Sequence, residues 1–152
     1  MSSEALTHPR LAVWLGFAGL IPFLASAGGA LFLTGSNDFA ITALIGYGAV
    51  ILSFLGGVRW GISIAPDSRL DDESRSRELL VSIIPSVIAW SALLAPAALS
   101  ILTLGISFAA LLWLDRRAGR ARVFPRWYTR LRLPLSIAAL ACLGLGLSVA
   151  YQ

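Results

Sequence analysis

A chain of 152 residues with 57% hydrophobic and 13% charged residues lacks the composition of a soluble domain, where charged residues run near 25%. Its net charge of +4 lies mainly in one segment between long apolar blocks, which points to anionic lipid headgroups and away from nucleic acid. One cysteine, Cys142, and one histidine, His8, exclude an internal disulfide and argue against a metal site.

The apolar blocks predict an all-α membrane bundle, because a hydrocarbon core of roughly 30 Å needs about 20 apolar residues as helix. The first block, about 11–33, carries no charge. Arg10, the run Leu11–Leu24 and Ala25-Ser26-Ala27 together resemble a cleavable signal peptide. The run continues to Leu33, long enough to span, so a retained helix is expected, kinked at Pro22.

The second span, about 39–62, carries one charge, Arg59, near its end. Gly57 and Gly61 form a small-xxx-small pair that lets another helix approach closely. Packing is the simpler reading of these glycines. The functional reading is a ligand cleft floored by Gly56 and Gly57, with Tyr47, Ser53 and Trp60 on the same span and Trp90 on the next. An arginine at this depth can snorkel to headgroups or pair with an acid. Asp115, expected at the same depth, is its natural partner.

Residues 66–78 mix acids and arginines and read as a solvated turn leading into a helix start, where acids suit the dipole. The uncharged stretch from Leu79 to Leu114 would measure about 54 Å as one helix, too long to hide by tilt. Pro96 divides it into spans of about 79–95 and 97–114, joined as a tight hairpin, with a further kink expected at Pro85. The next segment carries Arg116, Arg117, Arg120, Arg122, Arg126, Arg130 and Arg132 interleaved with Phe124, Trp127 and Tyr128. Arginine and aromatic residues together suit contact with lipid headgroups. The fifth span is about 133–151.

Five spans place three segments on one side, holding 1, 4 and 7 arginines, which is all 12 basic residues. The positive-inside rule therefore predicts the N-terminus inside and the C-terminus outside. No Asp, Glu or Lys is expected deep in a span, and no nucleophile–base set or phosphate loop is present. These absences argue against an enzyme or a carboxylate-coupled ion carrier, and no cofactor is implied.

The chain resembles domain-of-unknown-function family 3429. The resemblance rests on Leu15-Gly16-Phe17-Ala18-Gly19-Leu20-Ile21-Pro22-Phe23, on the run from Tyr47 to Gly57 with Trp60-Gly61, on Ile84-Pro85-Ser86, and on Pro125-Arg126-Trp127-Tyr128 with Leu131-Arg132. It implies a bacterial or mitochondrial inner-membrane protein and a first block that belongs to the mature domain. Trp127-Tyr128, with Leu131 and Pro134 following, is also similar to a short pattern of the tryptophan-rich sensory or translocator proteins, which bind ligands. Two functions remain in view. The first is a non-enzymatic accessory or assembly component acting through lipids, a protein partner or a second copy. The alternative is a binding protein or carrier for a small apolar or amphipathic ligand.

Overall fold

The structure is a computed structural model that describes residues 10–32, 37–65, 70–120, 124 and 126–151. It consists of α1 (Arg10–Ala18), α2 (Ile21–Phe32), α3 (Asn37–Ile64), α4 (Asp72–Leu93), α5 (Ala97–Arg120) and α6 (Arg126–Ala150), with no strand among the described residues. Five helices are long and apolar enough to cross a membrane, the first being α1 and α2 together.

Helix α3 is the centre of the bundle and packs on α2, α4, α5 and α6. Half of its most apolar window is buried, against 11–28% for the other spans. Leu44 and Leu52 on α3 meet Ile101, Leu104 and Phe108 on α5 and Leu143 on α6 in the core. Phe23 of α2 sets its ring edge-on to both Tyr47 and Phe108. Burying apolar groups away from lipid gains little, so close packing and polar ties must hold these helices together. Many large apolar side chains, such as Trp14, Phe54, Trp90 and Trp113, are accordingly exposed on the outside.

The first span breaks at Gly19-Leu20, about a turn before Pro22. A helical proline has no N–H to give and its ring collides with the carbonyl four residues earlier, here that of Ala18. The break disturbs the carbonyl ladder, and the Tyr47 hydroxyl donates to the Gly19 carbonyl at 2.8 Å across the α2–α3 contact. Pro96 lies between α4 and α5 as expected. The buried Ser100 hydroxyl donates to the Ala92 carbonyl at 2.6 Å, satisfying a helix-end acceptor at the hairpin tip. Pro85 and Pro134 stay inside α4 and α6.

One expectation is corrected. The small-residue face that packs is not Gly57/Gly61: a Cβ at either would meet nothing within 4 Å, whereas one at Gly56 would collide with the Ser82 backbone carbonyl. Gly56 is thus where α3 and α4 come closest. Helix α4 begins seven residues before Leu79, with Asp72 and Glu73 in its first turn. The basic segment is largely helical, since α5 runs on to Arg120 and α6 starts at Arg126.

Candidate functional site

Each of α3, α4, α5 and α6 contributes one charged side chain to a cluster near the same end: Arg59, Glu78, Asp115 and Arg132. The fold brings all four together. Arg59 Nη1 donates to Glu78 Oε2 at 2.5 Å, and Arg59 Nε lies 3.3 Å from Asp115 Oδ1, an ion pair whose angle does not make a hydrogen bond. Arg132 Nε donates to Asp115 Oδ2 at 3.0 Å, and its Nη1 donates to Ser136 Oγ at 2.8 Å. Arg59, Asp115 and Arg132 are 3%, 3% and 5% exposed, so three of the four charges are nearly dry. The Arg59 guanidinium also sits over the Phe124 ring, 5.7 Å from its centroid.

Two cations against two anions make the cluster neutral when all four groups are ionised. Burying a charge alone would cost several kcal/mol, so such charges persist only in pairs with good hydrogen bonds. Here the pairing is a chain, Glu78–Arg59–Asp115–Arg132, that ties four helices at one level. Two donors, Arg59 Nε and Arg132 Nη2, are buried and have no hydrogen-bond partner among the described residues. A buried donor left unmade costs on the order of 1–3 kcal/mol.

Arg132 also lines a cavity of about 360 Å³ between the first span, α3 and α6. Its walls are almost entirely apolar and include Leu20, Phe23, Ile51, Leu55 and Phe108, with Trp127, Tyr128 and Arg132 also among the lining residues. Leu15 and Phe54 belong to the wall and are exposed on the bundle exterior, so the cleft opens toward lipid. The α3 wall is Ile51, Phe54, Leu55 and Val58, one helical face.

This is not the cleft expected from the sequence. Tyr47, Ser53, Gly56, Gly57, Trp60 and Trp90 do not converge, and none of them lines the cavity. Tyr47 ties the broken first span, Gly56 packs on α4, and Gly57, Trp60 and Trp90 are exposed. Arg59 and Asp115 do meet, but each has a second partner that the sequence reading did not include. Arg132, expected at the headgroups with its neighbours, is buried instead. Arg116, Arg117 and Arg130 are exposed, with Arg117 lying 4.7 Å from the centroid of the Trp113 ring. Arg120 ends α5, Arg126 opens α6, and Arg122 lies outside the described residues. Among the described residues no group of three or more His, Cys, Asp or Glu could hold a metal ion.

The fold and this site define a polytopic membrane helix bundle, locked at one end by a buried charge chain that borders a lipid-facing cavity. The chain belongs to a family described as a protein of unknown function, DUF3429, whose model matches residues 8–148. It is similar to transmembrane protein 69 of Xenopus tropicalis, 38% identical over 86% of this chain and 51% of that protein. It is also similar to transmembrane protein 69 of Mus musculus, 30% identical over 88% of this chain and 54% of that protein. The chain thus spans about half the length of these curated relatives. No solved structure matches it.

Proposed function

We propose that this protein is a non-enzymatic binding protein or carrier for a small amphipathic molecule drawn from the membrane. The observation that carries this reading is the cavity of about 360 Å³ with apolar walls, on which Trp127, Tyr128 and Arg132 also stand. Sites for small molecules commonly have this form, with apolar lining and a few placed polar groups that fix orientation. The polar groups on its wall, Trp127, Tyr128 and Arg132, offer donors and charge but no nucleophile paired with a base, which supports binding over catalysis. The arginine distribution supports an N-terminus inside, a C-terminus outside, and residence in a bacterial or mitochondrial inner membrane.

The test is what accompanies the protein through purification in mild detergent, measured by mass spectrometry of the intact complex. A small amphipathic molecule at near-equal stoichiometry is expected for the native chain. It should be lost in Ala12→Phe, which adds bulk to the cavity wall, and kept in Val50→Phe on the lipid-exposed side of α3. Equal retention, or none in any of the three proteins, rejects the reading.

An accessory or assembly role is the second reading. It is favoured by Gly57 and Gly61, which turn a small-residue face outward on α3, where an added Cβ would meet nothing within 4 Å among the described residues. Such a face accepts another helix, from a protein partner or a second copy. A stoichiometric protein co-purifying with the native chain but not with Gly57→Leu supports that role.

A further inference from the structure

We infer that the cavity seats one acyl chain of a membrane phospholipid, taken from the leaflet on the arginine-bearing side, with the phosphate headgroup left outside. This names the ligand of the binding site proposed above and rests on that reading. The cavity is a groove along three helices. Its wall runs between half-buried residues: Ala12 to Leu20 on the first span, Ile51 to Val58 on α3, and Trp127 to Leu135 on α6. Each stretch rises roughly 10–12 Å at 1.5 Å per residue. Phe23, Leu55, Phe108 and Ala139 are buried and close the floor, while Leu15 and Phe54, exposed at the edges, leave the groove open to lipid. All three stretches lie in the arginine-side half of their spans, because Arg10–Phe32, Asn37–Ile64 and Trp127–Ala150 have midpoints near residues 21, 50 and 138. One leaflet supplies about half of a hydrocarbon core of roughly 30 Å. The groove therefore follows most of one leaflet and ends near the bilayer centre.

Its wall is made for hydrocarbon. Arg132 gives Nε to Asp115 and Nη1 to Ser136, and its Nη2 is buried away from the groove. The Tyr128 side chain is itself engaged by Arg132. The Gly19 carbonyl accepts from Tyr47. A polar atom carried into the groove would find these groups occupied, and burial without a partner is penalised. A chain of methylenes makes no such demand and gains contacts in space that the side chains leave unfilled. A second copy's helix does not fit. At 10–12 Å across it would take up roughly 900 Å³ along the groove, against about 360 Å³ available. The arginine end supplies the counterpart for a phosphate. Helices α1 and α6, which flank the groove, begin on Arg10 and Arg126, and Trp127 stands on the wall at the depth of an interfacial belt.

The test is native mass spectrometry of the full chain in maltoside detergent, with dimyristoyl- and dihexanoylphosphatidylglycerol as probes at equal micellar mole fraction. At roughly 1.3 Å per carbon, from C–C bonds near 1.5 Å, a six-carbon chain fills about the first 8 Å and a fourteen-carbon chain reaches the closed end. One dimyristoyl lipid per protein should bind about tenfold tighter than its dihexanoyl counterpart. The ratio stays far below that for transfer from water, because the micelle is itself apolar. Ile51→Trp and Leu20→Trp place bulk at the closed end from different walls, and each should bring the ratio toward one. Val50→Trp, on the lipid-exposed side of α3, should keep it. Two blockers keep the test decisive if one variant does not fold. A native ratio near one, or a ratio that the folded blockers leave unchanged, overturns the assignment. If the native protein then still retains a small molecule that Ala12→Phe loses, the cavity binds another ligand and the broader reading stands. No retained molecule of any kind removes both.

Discussion

At the scale of single residues, Asp115 is the most consequential side chain in the bundle. It faces both arginines at once, 3.3 Å from Arg59 Nε and 3.0 Å from Arg132 Nε. Removing it leaves Arg132 with no anion and Arg59 with Glu78 alone, and a single uncompensated buried charge already costs about 3–5 kcal/mol. Thermal unfolding in one detergent should therefore rank Asp115→Ala as the least stable variant, below Arg59→Ala. Glu78→Ala should be mildest, because Glu78 is 22% exposed and water can screen what it leaves behind. The chain of pairs also decides which double variant recovers stability. Deleting Asp115 with Arg132 leaves the Arg59–Glu78 pair complete, so that double variant should be more stable than Asp115→Ala alone. Deleting Asp115 with Arg59 leaves Arg132 and Glu78 each without its partner, and should recover less. Equal melting temperatures for the two double variants would show that the charges act independently. The arginine and acid at 59 and 115 were readable as a pair because Arg59 is the one charge in its apolar span and Asp115 directly ends another. Glu78 and Arg132 carried the same signal, one residue before the apolar stretches from Leu79 and Leu133, but their neighbours Arg77 and Arg130 made them look like members of solvated, mixed or basic segments.

At the scale of elements, the two contacts that fix α3 in place are local and testable. A methyl group at Gly56 would press on the Ser82 backbone carbonyl, and backbone cannot swing aside as a side-chain tip can. Gly56→Ala should lower the melting temperature and the folded yield of α3–α4 packing, while Gly57→Ala, with open space around it, should leave both unchanged. The reverse order would place Gly57 at a helix contact. The broken first span depends on Tyr47, whose hydroxyl serves the Gly19 carbonyl. Tyr47→Phe leaves that acceptor without its tie, at a cost of about 1 kcal/mol if the carbonyl stays dry. The loss should appear as faster hydrogen exchange near Gly19–Leu24 with little change in α5, whereas uniform exchange would assign Tyr47 a packing role alone. Proline positions in the sequence located the α4–α5 turn and foretold a distortion near Pro22, because ring sterics act within one turn of the chain. Which glycine of Gly56, Gly57 and Gly61 meets a neighbour was not legible. Adjacent helix positions lie about 100° apart, and outward and inward faces of a membrane helix are both apolar.

At the scale of the whole molecule, the asymmetry of charge predicts an orientation. All 12 arginines fall at the start of α1, between α3 and α4 or at their flanks, and between α5 and α6 or at their flanks. Reporter fusions after Gln152 and within residues 121–123 should report opposite sides of the membrane, with the 121–123 reporter cytoplasmic or, in an organelle, on the matrix side. A shared side for both would require an even number of crossings between them and reject the five-span insertion.

The number of spans, their approximate limits and the side that collects arginine were all determined by the sequence alone. The physical reason is that bilayer thickness sets the length of each apolar run, and charge resists transfer across it, so both are written along the chain. The convergence of Arg59, Glu78, Asp115 and Arg132, the outward turn of Gly57 and the cavity beside Trp127 and Tyr128 were decided only by the tertiary structure. Lipid is as apolar as the inside of the bundle, so hydropathy does not mark which face of a membrane helix is buried. That choice is made by the shapes of the neighbouring helices and by the few polar groups that must find one another.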